Sequence, residues 1–177
     1  MVVRMHDCSV ERQLPATEVP SRLNLGCGED YREQWHNVDI RSAVDPDEEV
    51  NLNVYPWPWD DDTFQLVLAR HVIEHLDDQY RALDELARIT AANGQIRIRC
   101  PHWNSASQAI DPTHTTPVDP RTLRHALAPD WNVEDVQYTR VRIGRLLPER
   151  IAVWIADMVG HVVTEWEATI RLPKETV

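Results

Sequence analysis

Two strand-length apolar runs, FQLVLAR (64–70) and QIRIRC (95–100), flank a single amphipathic helix pattern, and this arrangement constrains the fold more than any other feature of the chain. Leu76, Tyr80, Leu83, Leu86 and Thr90 recur at i, i+3 and i+4 spacing, which places them on one helical face. Asp77 or Asp78 supplies the N-cap, Asp77/Arg81 and Asp84/Arg88 have the spacing of i,i+4 ion pairs, and Asn93-Gly94 provides a C-terminal stop. Strand, helix and strand in this order predict a parallel pair with a right-handed crossover.

Three further runs, RLNLG (22–26), HNVDI (36–40) and VNLNV (50–54), read as additional strands. The segments after the first two (27–36 and 41–49) are too short for long crossover helices, so they are predicted to be single turns. Residues 1–20 lack periodicity and are read as an N-terminal arm or cap, placed to cover the sheet face those turns leave bare. Residues 21–177 form one domain.

Beyond residue 100 a polar loop with Pro101, Pro112, Pro117 and Pro120 leads into a short helix at 119–127, then a strand at 133–142 and a helix at 148–160. Ile151, Trp154, Ile155, Met158 and Val159 make one stripe on that helix, and this stripe is expected to pack into the core. A membrane-surface contact is the weaker alternative, because the opposite face lacks a basic cluster. The last strand, 162–172, alternates Val162, Trp166, Ala168, Ile170 and Leu172 with Glu165, Glu167, Thr169 and Arg171, which predicts an antiparallel strand at the end of the sheet.

Composition narrows the class. With 177 residues the chain can bury a core without disulfide or metal staples, and Cys8, Cys27 and Cys100 include no CxxC pair. An odd count of scattered cysteines, no apolar run of transmembrane length and an N-terminus too polar for a signal peptide predict a cytoplasmic setting. The formal charge of −11 argues against nucleic acid as a partner. Lys174 is the single lysine in this acidic chain, a bias shared by proteins of salt-loving organisms and by GC-rich genomes.

LNLGCGED (23–30) puts two glycines directly after the first strand, where the backbone turns sharply and its N–H groups can form an anion nest. NVDI (37–40) ends the second strand on Asp39, placed to accept both hydroxyls of a ribose diol. Asn51 and Leu52 come at the next edge position, an amide for an adenine's polar rim and a wall for its face. The Tyr55–Trp59 aromatics are read as core or loop packing ahead of ligand stacking.

Taken in order, LNLGCG (23–28), NVDI (37–40), NLNVYPWPWDDDTFQLV (51–67), HVIEHL (71–76), TAANGQIRI (90–98) and PHW…DPTH (101–114) resemble the small class I S-adenosylmethionine-dependent methyltransferases, type 11-like. The resemblance implies an α/β, Rossmann-like three-layer sandwich with a mostly parallel seven-stranded sheet, an antiparallel last strand and shortened first crossovers. It implies S-adenosyl-L-methionine as cofactor, with Gly26, Cys27 and Gly28 at its methionine part, Asp39 and Ile40 at the ribose, Asn51 and Leu52 at adenine, and Arg70 and His71 near the sulfonium. The chain departs from the family pattern at Asn24, Asp30 and Asn51, where an acid, a glycine and an acid are usual.

HVIEH (71–75) also matches the H-x-x-E-H zinc-hydrolase string. Such a site needs a continuous helix, and here a strand precedes the string while Asp77-Asp78 caps a fresh helix after it, so no metal is expected. His102 and His114 are the candidate bases for a hydroxyl or amine acceptor, each with a loop-holding hydrogen bond as the equal alternative. The acceptor is expected to be a small molecule, a sugar or a lipid-linked intermediate; the competing class is a non-catalytic or partner-dependent module. If the acidic surface is a salt adaptation, the melting temperature rises from low to molar KCl; a flat profile contradicts that origin.

Overall fold

The computed structural model describes residues 21–127, 131–142, 144–160 and 162–173. The predicted arm at 1–20 lies outside the described residues. β1 (Arg22–Leu25), β2 (His36–Asp39), β3 (Glu48–Glu49), β4 (Phe64–Arg70), β5 (Thr90–Pro101), β6 (Asn132–Arg140) and β7 (Val163–Arg171) form one sheet in the order β3-β2-β1-β4-β5-β7-β6. The pairs from β3 through β5 are all parallel, and β7 is antiparallel to both β5 and β6. Strand order reverses at β1, between β2 and β4. In an open parallel sheet that reversal opens a crevice beyond the strands' carboxyl ends.

β1 and β4 occupy the centre, and one face of each is fully buried through Leu23 and Leu25, Val67 and Ala69; on the other face β4 is apolar with Phe64 and Leu68, and β1 carries the buried amide of Asn24. α1 (Gln79–Ile89) is the predicted crossover, begun by Asp78, whose side chain accepts from Arg81 N. It lays Ala82, Leu83, Leu86 and Ile89 on the sheet, while Tyr80, which the periodicity placed on the same face, is 63% exposed. The expected i,i+4 pairs are also replaced. Arg88 binds Glu85 one turn back on the helix and Asp61 on the loop carrying Trp57 and Trp59, and Arg81 lies over the Tyr55 ring of the same loop. Those two tryptophans are core residues, in accord with the packing reading.

Further expectations are corrected. VNLNV is not a strand: only Glu48 and Glu49 pair with β2, and Val50 and Leu52 are buried as loop side chains. The connections after β1 and β2 are shortened as expected: the second is a single 3-10 turn at Ser42–Val44, and the first contains only turns. β7 is inserted between β5 and β6, leaving β6 at the edge, and a short helix, α2 (Ala106–Ile110), lies in the polar loop ahead of α3 (Pro120–Ala126). Finally, α4 (Glu149–Val159) buries Ala152 and Ala156, and turns Trp154 and Met158 outward at 62% and 64% exposure. Small side chains permit the close approach in which Asn104 Nδ2 donates to Ala156 O, so the alanine stripe, not the bulky one, faces the protein.

Trp166 is 1% exposed, with Nε1 donating to Val118 O, whereas Trp154 touches mainly solvent. Trp166→Ala should therefore cost about 3–5 kcal/mol in urea unfolding, and Trp154→Ala no more than about 0.5 kcal/mol. Equal losses would show that α4 packs by its bulky face after all.

Candidate functional site

The glycine turn is shaped by the chain around it. Gly26 and Gly28 have φ of +57° and +53°, and a Cβ on Gly26 would stand 2.5 Å from Val72 Cγ2. Only glycine fits there, because the end of β4 is pressed against the turn. Cys27 N donates to Val38 O at 2.8 Å, and Gly28 N donates to Asp39 Oδ2 at 2.9 Å. The other Asp39 oxygen accepts from Arg41 N and Arg41 Nε. Burial opposes ionisation of Asp39, but the Arg41 and Gly28 N–H groups and the Arg41 guanidinium outweigh it and hold the carboxyl below the usual carboxylate range. An ionised acceptor thus stands at the carboxyl edge of β2.

Asn24 and Asn37, buried side by side, brace this edge. Asn24 Nδ2 donates to Asp30 O and Asn37 Oδ1, and Asn37 Nδ2 donates to Arg32 O, Trp35 O and Asp47 Oδ2. The amide of Asn24 is what closes the loop, since an ionised carboxylate at this position has no hydrogen to donate to the Asp30 carbonyl.

Beyond these strand ends lies a cavity of about 600 Å³, within the range of small-molecule sites. Gly26, Asp39, Ile40, Asn51, Leu52 and His71, all anticipated, line it. Cys27, Gly28 and Arg70 do not. Cys27 is buried behind the turn, where burial and the Asp39 and Asp47 charges push its thiol up; Gly28 acts through Asp39; Arg70 reaches back to Asp30 at 2.8 Å. The sequence reading missed Arg41, Asn53, His75, Leu76 and Thr113 in the same lining. A more open cavity of about 490 Å³ at the opposite edge is lined by Asp61, Arg88 and Leu172, and its one arginine is already spent on Glu85, Asp61 and two carbonyls.

His71 has a left-handed backbone, φ 54°, which turns its ring between two carboxylates: Nδ1 lies 3.2 Å from Glu74 Oε1 and Nε2 3.4 Å from Glu165 Oε1. Hydrogen bonding to Glu165, then to Glu74, raises the imidazole to about 9 despite burial, and the His71 contact, with Arg99 behind it, drives Glu165 down to about 2. Arg99 completes the cluster through Glu165, so two cations face two carboxylates. A β7 residue beside the pocket wall was not foreseen. The alternation placed Glu165 on the polar face without showing that this face meets the end of β4.

His102 is 1% exposed and outside the cavity lining. Its Nδ1 accepts from Asn104 N, its Nε2 faces Asp157 at 3.6 Å, and burial holds it below its ordinary value, so it fixes the loop beside α4 as a neutral ring. His114 lies against His75, with ring centroids 4.7 Å apart, and its Nδ1 meets Gln108 O.

Against this geometry, residues 27–98 match the family model described as a methyltransferase domain. This stretch, from the glycine turn to the middle of β5, is what the chain shares with that family. A probable S-adenosylmethionine-dependent methyltransferase of Mycobacterium tuberculosis is 29% identical over 133 residues, covering 66% of this chain and 47% of that protein, so the chain spans about half the length of the curated relative it matches. Among solved structures, an S-adenosylmethionine-dependent methyltransferase from Archaeoglobus fulgidus superposes with a TM-score of 0.62 at 18% identity, over 85% of each chain. The [4+2]-cyclase SpnF superposes with a TM-score of 0.60 at 14% identity, over 86% of this chain and 75% of that one. The chain has the fold of these proteins. Among its described residues no helix is long and apolar enough to cross a membrane.

The raised His71 value predicts a pH signature. Folding strengthens proton binding at His71, so its contribution to stability is complete below its ordinary value of 6.5 and is lost as pH rises through about 9. His71→Asn keeps a residue that tolerates the left-handed backbone. The stability gap between wild type and this variant should be large near about pH 6 and nearly closed near about pH 10; an unchanged gap would contradict the paired imidazolium.

Proposed function

We propose that this domain binds S-adenosylmethionine in the cavity beyond β1, β2 and β4 and transfers its methyl group to a small-molecule, sugar or lipid-linked acceptor. The observation that carries the reading is the ionised Asp39 at the edge of β2, tied to the glycine turn of β1 and open to the cavity. The lining matches the parts of such a ligand. Asp39 accepts from a ribose diol, Leu52, Val50 and Leu76 flank a planar base, and the Asn51 and Asn53 amides meet its polar rim. Bound there, the cofactor supplies a methyl carbon already activated by its sulfonium.

The chain's own contribution is then positioning and electrostatics. The turn Gly26–Gly28 offers backbone donors to the amino-acid end, with Cys27 and Gly28 acting from behind the lining and Arg70 holding Asp30 in the same loop. His71, countered by Glu74 and Glu165 and joined by Arg99, forms a wall whose charges cancel, so a sulfonium meets no free cation. His102 serves as a positioning residue for the loop at 102–105, and His114 is the histidine nearer the acceptor side. A cytoplasmic, salt-adapted enzyme that does not act on nucleic acid agrees with the charge of −11.

A second reading has its own observation: Asp39 is already engaged by Gly28 and Arg41, as in a binding module whose ligand contact has been replaced. The SpnF likeness likewise shows that this fold need not carry methyl transfer. Calorimetry separates the two. S-adenosylmethionine should bind with one site per chain, and Asp39→Asn should weaken it about 10- to 100-fold, the worth of a charge-assisted hydrogen bond. No heat at millimolar ligand would leave the module reading in place.

A further inference from the structure

HVIEH fails as a zinc-hydrolase helix, since Ile73–His75 is one 3-10 turn and His71 faces Glu165, yet half of the string meets a third residue from the DPTH segment. Glu74, His75 and His114 each offer one ligand atom, and these atoms lie within 4.8 Å of one another. We propose that Glu74, His75 and His114 form a binding site for a first-row divalent transition-metal ion at the edge of the cofactor cavity.

Two independent features support a ligand here. Glu74 is 0% exposed, with Oε1 near His71, while its buried Oε2 has no hydrogen-bond partner among the described residues. An unpaired carboxylate oxygen in the interior is costly. The neighbouring Cys100 thiol is a weak donor and a poor substitute for a cation.

The second feature is the setting of the two rings. His114 Nδ1 lies 3.2 Å from Gln108 O, a carbonyl that can only accept, so Nδ1 carries the proton; Nε2, 3.8 Å from Asp111 Oδ2 and so beyond a hydrogen bond to it, keeps the lone pair. Thr113 Oγ1 spends its single hydrogen on Asp111 Oδ1 at 2.6 Å, so at 3.0 Å it must accept from His75 Nδ1, leaving the lone pair on His75 Nε2. Both rings are held by outer partners in the tautomer a metal needs, an arrangement typical of metal-bound histidine. Two imidazoles and one carboxylate suit Zn²⁺, Co²⁺ or Fe²⁺ better than Mg²⁺ or Ca²⁺, and three protein ligands leave positions open. Coordination at about 2.1 Å brings ligand atoms to roughly 3–3.5 Å apart, within reach of small rotations of the two rings.

His75 and Thr113 line the cavity, so the proposed site adjoins it. Resting on the methyltransferase reading, the ion selects an oxygen acceptor, a hydroxyl or vicinal diol that coordinates beside the cofactor.

The untagged 177-residue chain, stripped with chelator, is titrated with CoCl₂ alone. One Co²⁺ per chain with a visible d–d band is expected, and His75→Ala and His114→Ala should each weaken it at least 100-fold, as loss of a ligand exceeds the 10–100-fold typical of outer partners. Glu74→Gln should abolish the band if it folds; the two histidine variants decide the matter if it does not. Absence of saturable binding, or binding unchanged in both histidine variants, overturns the site. Calorimetry with S-adenosylmethionine on the metal-free chain tests the cofactor reading separately, so either can fail alone.

Discussion

The hydrogen bond from Gly28 N to Asp39 Oδ2 joins the turn after β1 to the end of β2, and the geometry of the cavity depends on it. It works because three tight requirements coincide. Gly26 must be left-handed and bare, since Val72 occupies the space of a Cβ. Asp39 must be ionised, which the N–H groups of Arg41 and Gly28 enforce against burial. Behind both, the Asn24–Asn37 amide pair fixes the loop that would otherwise carry buried, unpaired backbone groups. Loss of any one releases a turn whose backbone donors are useful only when held in place.

The parallel half of the sheet was legible, apart from β3, because β1 and β2 are short runs that stop at Gly26 and Asp39, and because one helix of clear periodicity joined β4 to β5. What was not legible depended on tertiary pairing. VNLNV has a strand's composition, but the ladder with β2 is used up at Glu48 and Glu49, and Val50 and Leu52 reach the core from a loop. α4 carries two usable stripes, and periodicity favours the bulky one; the close contact with Asn104 selects the alanines. Tyr80 illustrates the same limit inside α1, where the helix is as predicted and the face rotates slightly away.

The site divides in the same way. Residues standing at strand ends, Gly26, Asp39, Asn51, Leu52 and His71, follow from the order of strands and turns, and they share one cavity. Residues that arrive through space do not. Glu165 comes from β7, and His114 with Thr113 from the loop after α2; only the packing of β5 against β7 and of that loop against Ile73–His75 brings them in. The HVIEH string thus meets two environments: His71 stands between Glu74 and Glu165, and His75 faces Thr113 and the ring of His114.

The central claim is that Asp39 and the Gly26–Gly28 turn together hold the nucleoside and amino-acid ends of one cofactor. A crystal structure of the chain with S-adenosylhomocysteine tests it most directly. The account predicts the ribose diol on Asp39, the base between Leu52 and Leu76, and the sulfur on the His71 side. A nucleoside bound away from Asp39, or density only in the cavity beside Asp61 and Arg88, would contradict it.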